Sequence, residues 1–427
     1  MIITSHIKLI TKMKVRNLLL AGLAVAAMTA CSNENDEIVD NGQVQGTENA
    51  LIRLGISYPT LTRAAGTEEG LEGEQLFETA KVIVNGDVHT YVYDDFTPST
   101  DPNEKGLYLK TGIPVSEGTA SVYVILNLQG EPATPYANMT ASANYTTSLD
   151  GLTNYVAKDG EFLMSNAGGT AATTKVTKGQ EATVKVNVER AAAKLMEQSK
   201  KEAFTNVTPG TYNGKKLNIS LKNYSFVNLQ KDTYVLANTT PIKSNFFQPY
   251  DENNATWGYA TKEIVGDIQK DNSTATGNIT YCLENKDVDN NTCVVYEAVA
   301  TWDNEAAPAT FYVTAENIVY QDFNSLYKEY KNMLDASNLT ADSKAADFRA
   351  AGVPIKMYEG GKCYYKADIY TTDKTNKTIV RNNVYKLNVS SITKLGDPTP
   401  TPTPDAASLT LEVKVLPWTI NLVDIIL

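Results

Sequence analysis

Val184-Lys185-Val186-Asn187-Val188-Glu189 puts every valine on one side of an extended chain and every polar residue on the other. Alternation with period two is the pattern of a half-buried β-strand, because successive side chains point to opposite faces. Working outward from this run, the same period recurs. Ile52, Leu54, Ile56 and Tyr58 alternate with Arg53, Gly55 and Ser57, and Val122, Val124 and Leu126 alternate with Tyr123 and Asn127. Downstream come Leu217-Ile219-Leu221, the valine-rich run 294–299, Tyr365-Ala367-Ile369 and Tyr385-Leu387-Val389. With 24 tyrosines and abundant Thr, Val and Asn, the chain reads as all-β. The one helical stripe is Phe323, Leu326, Tyr327, Tyr330, Met333 and Leu334, spaced i, i+3, i+4, i+7. It is predicted to pack on a sheet and not to line a cofactor site. Charged residues with Gly and Pro interrupt the strands near residues 197–213, which predicts a seam between two sandwich-like domains.

The N-terminus reads as an export signal. Lys8, Lys12, Lys14 and Arg16 form a basic region, followed by the apolar run Leu18–Ala27, and Met28-Thr29-Ala30-Cys31 closes it. The apolar run has the length of a signal peptide and is short for a membrane span. Small residues directly before a cysteine have the shape of a lipobox, which predicts an acylated Cys31 as the new terminus. The alternative is an ordinary signal peptide with a chance cysteine. Residues 1–12 read as an upstream extension, since Met13 makes a more typical start. Ser32 to Asn49 is too polar to fold alone and reads as a tether.

Composition removes several function classes. The chain carries 49 acidic against 38 basic residues, a net charge of -11, which argues against a nucleic-acid partner. Its two histidines are His6 and His89, so a zinc site, a Ser-His-Asp triad or a Cys-His pair has almost no material. No cofactor and no catalytic or metal site is expected. Beyond the signal, the cysteines are Cys282, Cys293 and Cys363. Cys282 and Cys293 lie in two β-like runs. A cross-strand disulfide between them is chemically allowed outside the cytosol, and two small buried hydrophobes is the other reading.

Both ends of the exported chain carry functional signals. The alternating strand 51–58 stops at Pro59, and Leu61-Thr62-Arg63-Ala64-Ala65-Gly66 follows, a lone arginine among small residues that a trypsin-like protease can enter. Near the other end, Pro398 to Pro404 alternates Pro and Thr as a stiff extended tether. Beyond it Leu409, Leu411, Val413 and Val415 alternate with polar residues. After Pro417 come Trp418, Ile420, Leu422, Val423, Ile425, Ile426 and Leu427. Each large apolar side chain gains roughly 1.5–3 kcal/mol on full burial, so a run this apolar needs a cover. The cover is either its own domain or another molecule.

These residues resemble the fimbrillins of Bacteroidales type V pili, the minor-fimbrium group more than the major one. The likeness runs from about residue 50 to the C-terminus, beyond the lipobox. It rests on the strand before Arg63, on Val122–Asn127, on Phe162-Leu163-Met164-Ser165-Asn166 and on Val188-Glu189-Arg190-Ala191-Ala192-Ala193-Lys194-Leu195. It continues through Cys363-Tyr364-Tyr365, Val380–Leu387 and Val413-Lys414-Val415-Leu416-Pro417-Trp418. The resemblance implies two transthyretin-like β-sandwich domains in tandem, residues 64–200 and 201–397. It further implies a signal peptide 1–31, a propeptide 32–63, and a tether with donor strand over 398–427. Fimbrillins are exported as lipoproteins to the outer membrane and cut after an arginine, and polymerise as the C-terminal strand of one subunit fills the vacated groove of the next. Carried over, Arg63-Ala64 is the scissile bond and Ile52, Leu54, Ile56 and Tyr58 belong to the removed strand. Trp418, Ile420, Leu422, Val423, Ile425 and Leu427 belong to the donor strand. The implied partners are other copies of the chain, tip and anchor subunits and a maturation protease, on an extracellular fimbrium with an outer-membrane precursor. A shaft subunit needs both a removable first strand and a spare last strand. A tip adhesin needs no donor, a glycan-binding lipoprotein needs neither feature, and an enzyme lacks a recognisable cluster.

Overall fold

The computed structural model describes residues 50–57, 68–129 apart from 105, 144–146, 156–243 apart from 201, 206 and 210, 246–247, 259–264, 278–303, 309–371, 376–400 and 408–419. It is β-rich, as the alternation requires. The strands that build the site are β1 (Ala50–Ser57), β2 (Glu68–Glu69), β3 (Thr79–Val84), β4 (Asp87–Val92), β5 (Thr97–Pro98), β6 (Leu107–Val115), β7 (Gly118–Leu126), β8 (Met164–Asn166), β9 (Ala172–Val176), β10 (Glu181–Arg190), β11 (Ala192–Glu197), β12 (Lys215–Val227), β13 (Ile279–Leu283), β14 (Cys293–Trp302), β15 (Lys362–Asp368), β16 (Asn383–Ile392) and β17 (Leu409–Thr419).

The first core is wrapped by strands in the order β4-β3-β7-β8-β10-β1-β6-β5, with β9 along β7. The valine strand β10 turns this array on itself. Its residues 181–187 run parallel to β1, and 188–190 pair antiparallel with β8. Val184, Val186 and Val188 point inward with Ile52, Leu54, Ile56, Val82, Val122 and Val124, the positions that alternation assigns to a buried face.

The second core lies between two sheets. One runs β2-β17-β16-β11-β13, and the other contains β12-β14-β15. The chain passes between the cores along Ala191-Ala192-Ala193, all fully buried. Ala191 and Ala192 pack in the first core, and Ala193 and Leu195 in the second. Methyl side chains let a strand thread between two packed cores without prying either open. The crossing therefore lies just upstream of the seam expected at 197–213.

An insert between β14 and β15 holds the helices α1 (Phe323–Ala336) and α2 (Ala345–Ala350) over a small sheet. Asp322 caps α1, its carboxylate accepting from the Ser325 amide at 2.8 Å. Leu326 and Leu334 of the expected stripe are buried with Tyr312, Phe348, Ile355 and Met357, so the helix packs on a sheet as read from its period.

Cys282, Cys293 and Cys363 are free and buried. The bridge considered between Cys282 and Cys293 is not formed. Cys282 sits on β13, which pairs with β11, whereas Cys293 sits on β14, between β12 and β15 in another sheet. Burial pushes the thiols of Cys293 and Cys363 up to about 12, so they fill the interior as small hydrophobes.

Candidate functional site

Strand β1 lies between β10, to which it is parallel, and β6, to which it is antiparallel. Ile52 stands between Ala182 and Ile113, Leu54 between Val184 and Lys110, and Ile56 between Val186 and Tyr108. All three side chains are fully buried. Burying them is worth roughly 5–9 kcal/mol before ordering costs. A strand withdrawn from this place would leave two sheet edges and an apolar slot, which exposed sheet edges do not tolerate for long. Tyr58, Arg63 and Ala64, placed at and after the end of this strand by the sequence, lie outside the described residues, as does Cys31.

The outward face of β1 carries one charge, Arg53. Arg53 donates to Glu104, Nη2 to Oε2 at 2.9 Å and Nη1 to Oε1 at 3.5 Å. Ser99 Oγ donates to Glu104 Oε2 at 3.0 Å, and Lys185 Nζ of β10 lies 3.3 Å from Oε1. The Arg53 hydrogen bond, then those of Ser99 and Lys185, hold the Glu104 carboxyl down to about 2.

At the other end, β17 pairs antiparallel with β16 from Leu409 opposite Ile392 to Pro417 opposite Asn383. It is therefore an integral strand, so its own sheet covers the run up to Thr419. The start of the Pro-Thr tract is held too, by Arg349 of α2, which donates to Thr399 Oγ1 at 3.1 Å and to the Pro400 carbonyl at 3.0 Å. Trp418 requires a correction. Assigned above to a donor strand, it is instead one of the largest fully buried side chains of its own chain. Its ring meets Phe162 edge-on at 5.6 Å and stacks on Tyr281 at 6.0 Å, with the Arg190 guanidinium 4.5 Å from the ring centroid. Ile420, Leu422, Val423, Ile425 and Leu427 lie outside the described residues.

Glu74 ties this tryptophan down, and sequence reasoning missed it. Its carboxylate accepts from Trp418 Nε1 at 3.1 Å, Tyr281 OH at 2.5 Å and the Leu71 amide at 2.6 Å, and pairs with Lys194 Nζ at 2.7 Å. Arg190 adds a second tie, Nε to the Glu74 carbonyl at 2.8 Å and Nη1 to the Trp418 carbonyl at 3.1 Å. β2 pairs in parallel with Trp418 and Thr419. The segment that follows Arg63 in sequence is thus clasped to the root of the C-terminal segment. The available signal was Arg190 and Lys194 flanking three alanines, two long cations in a run otherwise fit only for burial. Among the described residues, no group of three or more His, Cys, Asp or Glu is placed to hold a metal ion.

Residues 356–424 match the family described as "Major fimbrial subunit protein type IV, Fimbrillin, C-terminal". Over those residues the chain is similar to the fimbrillin C-terminal region. The match spans β15, β16 and β17 and runs past Trp418. The family is one of structural subunits of extracellular fimbriae. No curated protein sequence matches the chain. Among solved structures, a fimbrilin from Porphyromonas gingivalis is 16% identical, with 87% of this chain and 98% of that chain covered and a TM-score of 0.45. The tip fimbrial protein of Porphyromonas gingivalis, solved with a C-terminal truncation, is 12% identical with 86% and 100% covered and a TM-score of 0.38. A Parabacteroides distasonis protein provisionally assigned to cell adhesion is 11% identical with 87% and 98% covered and a TM-score of 0.49.

Proposed function

We propose that this protein is a fimbrial shaft subunit that polymerises head-to-tail by strand replacement. In this reading the precursor is exported, acylated at Cys31 and held at the outer membrane. A protease then cuts between Arg63 and Ala64. β1 leaves, and the C-terminal segment of a neighbouring copy takes its place between β10 and β6. Such a contact is heterologous and does not close, so it yields filaments. The mature subunit then sits in an extracellular fimbrium with tip and anchor subunits at its ends.

The observation that carries the reading is the position of β1. A strand that ends a few residues before a lone arginine lies in the middle of a sheet with Ile52, Leu54 and Ile56 fully buried, so one cut frees an interior strand and not a peripheral one. Because Trp418 packs within its own chain, the proposed donor narrows to the apolar segment from Ile420 onward. The Pro-Thr tract is then a spacer within the subunit, since β17 beyond it is still part of the body.

N-terminal sequencing of subunits from purified surface filaments tests this. They should begin at Ala64, and Arg63→Ala should accumulate as a monomer retaining residues 50–57. Filaments whose subunits still contain Leu51 or Ser57 would refute it.

A further inference from the structure

Withdrawing β1 removes a charge as well as three apolar anchors. Arg53 stands among Glu104, at 2.9 Å, and the carboxylates of Glu181 and Asp101, whose fields also act on it. Glu181 Oε1 accepts from the Gly112 amide at 3.0 Å, which fixes that carboxylate at the β10–β6 margin. Lys185 is the cation on the other side of Glu104. Glu104, Glu181, Asp101 and Lys185 all lie downstream of Arg63 and would remain with the body, while Arg53 would depart with the strand. At the place of Arg53 this leaves the carboxylates of Glu104, Glu181 and Asp101 with the Lys185 ammonium, while Lys110, opposite Leu54 on β6, lies 3.7 Å from Asp95. With β1 in place the Glu104 side chain is 13% exposed, and Arg53 covers both of its carboxylate oxygens.

The chain's own C-terminal segment does not restore that charge. Ile420–Leu427 contains no Lys or Arg and has one acid, Asp424. With Val423 and Ile425 facing inward, alternation puts Asp424 outward between them, as Arg53 stands between Ile52 and Leu54. In the opposite phase Asp424 would point into the apolar slot.

Resting on the strand-replacement reading, we propose that the groove left by β1 selects its incoming strand by charge. The preferred partner is a β-strand with aliphatic residues at the places of Ile52, Leu54 and Ile56 and a Lys or Arg at the place of Arg53. The chain's own C-terminal segment is the weaker donor. Glu104 is the discriminating residue, and Lys185 tempers it.

The test uses the full-length precursor with residues 59–63 replaced by the recognition sequence of a specific protease. After cutting, excess labelled peptide competes for the groove. The peptides are residues 48–59 unchanged, the same with Arg53→Lys or Arg53→Asp, and residues 417–427. At about 50 mM salt the Arg and Lys peptides should bind on the order of five-fold tighter than the Asp and C-terminal peptides, the range of partly exposed ion pairs, and the gap should close near 1 M salt. Glu104→Gln in the body should narrow the gap and Lys185→Gln should widen it. Equal affinity of the Arg53 and Arg53→Asp peptides at low salt would overturn the charge selection and leave strand replacement standing. If no peptide enters the cut chain, strand replacement itself fails, and the selection with it.

Discussion

Glu74→Gln isolates the clasp at the root of the C-terminal segment. The amide keeps the shape of the side chain and one oxygen for Trp418 Nε1 or the Leu71 amide, but it carries no charge. Lys194, only 3% exposed, loses the carboxylate that stands 2.7 Å from its ammonium. Breaking a buried ion pair from one side costs about 3–5 kcal/mol, although the intact pair contributes little net stability over apolar packing. That loss is a large share of the 5–15 kcal/mol or so that holds a typical domain folded. Glu74→Gln with Lys194→Met removes both charges and sets a flexible thioether beside the Trp418 ring, so the double variant should recover most of the loss. Equilibrium urea unfolding followed by tryptophan fluorescence measures both, with Trp418 inside the perturbed cluster. A single-variant loss below about 1 kcal/mol, or a double variant no more stable than the single, would refute the ion pair as the tie. The seat of Trp418 would then rest on Phe162, Tyr281 and Arg190 alone.

Three further outcomes are expected. Burial pushes the Glu197 carboxyl up to about 7 against opposing hydrogen bonds from Ser199 and Tyr296. The folded chain keeps this proton while the unfolded chain loses it near pH 4.5, so stability should fall as pH rises from there through 7, by up to roughly 3 kcal/mol. Glu197→Gln should flatten that slope in a melting series, and an unchanged slope would count against the buried proton. Deleting residues 420–427 should leave monomer unfolding within about 1 kcal/mol of the full chain, because β17 and Trp418 remain, while the filament ladder on gels disappears. A truncated chain that still assembles, or that unfolds early, would contradict a donor role. Cys31→Ala should leave unprocessed or mislocalised precursor and no surface filaments, so normal piliation in that variant would remove the lipoprotein step.

Strand content was legible because alternation is a local signal. Val184, Val186 and Val188 need only a sheet to lie on, and the burial of Ile52, Leu54 and Ile56 follows from the same two-residue period. The helix at Phe323 was equally local. The clasp was not, since Glu74 and Trp418 are 344 residues apart and no pattern within a window connects them. The mistake over Trp418 has a physical cause in the strand itself. Leu409, Leu411, Val413 and Val415, at odd positions, pack against the second core, while Trp418, at an even position, enters the first. One strand thus serves two cores with its two faces, and the alternation changes phase near Pro417. Read in sequence, a change of phase after a proline looks like the start of a new segment. In space it marks where β17 reaches the junction between the cores. A strand seated on both cores holds Trp418 in place whatever happens to the residues after it. On the proposed strand replacement, a donor beginning at Ile420 therefore draws on no residue that seats β17.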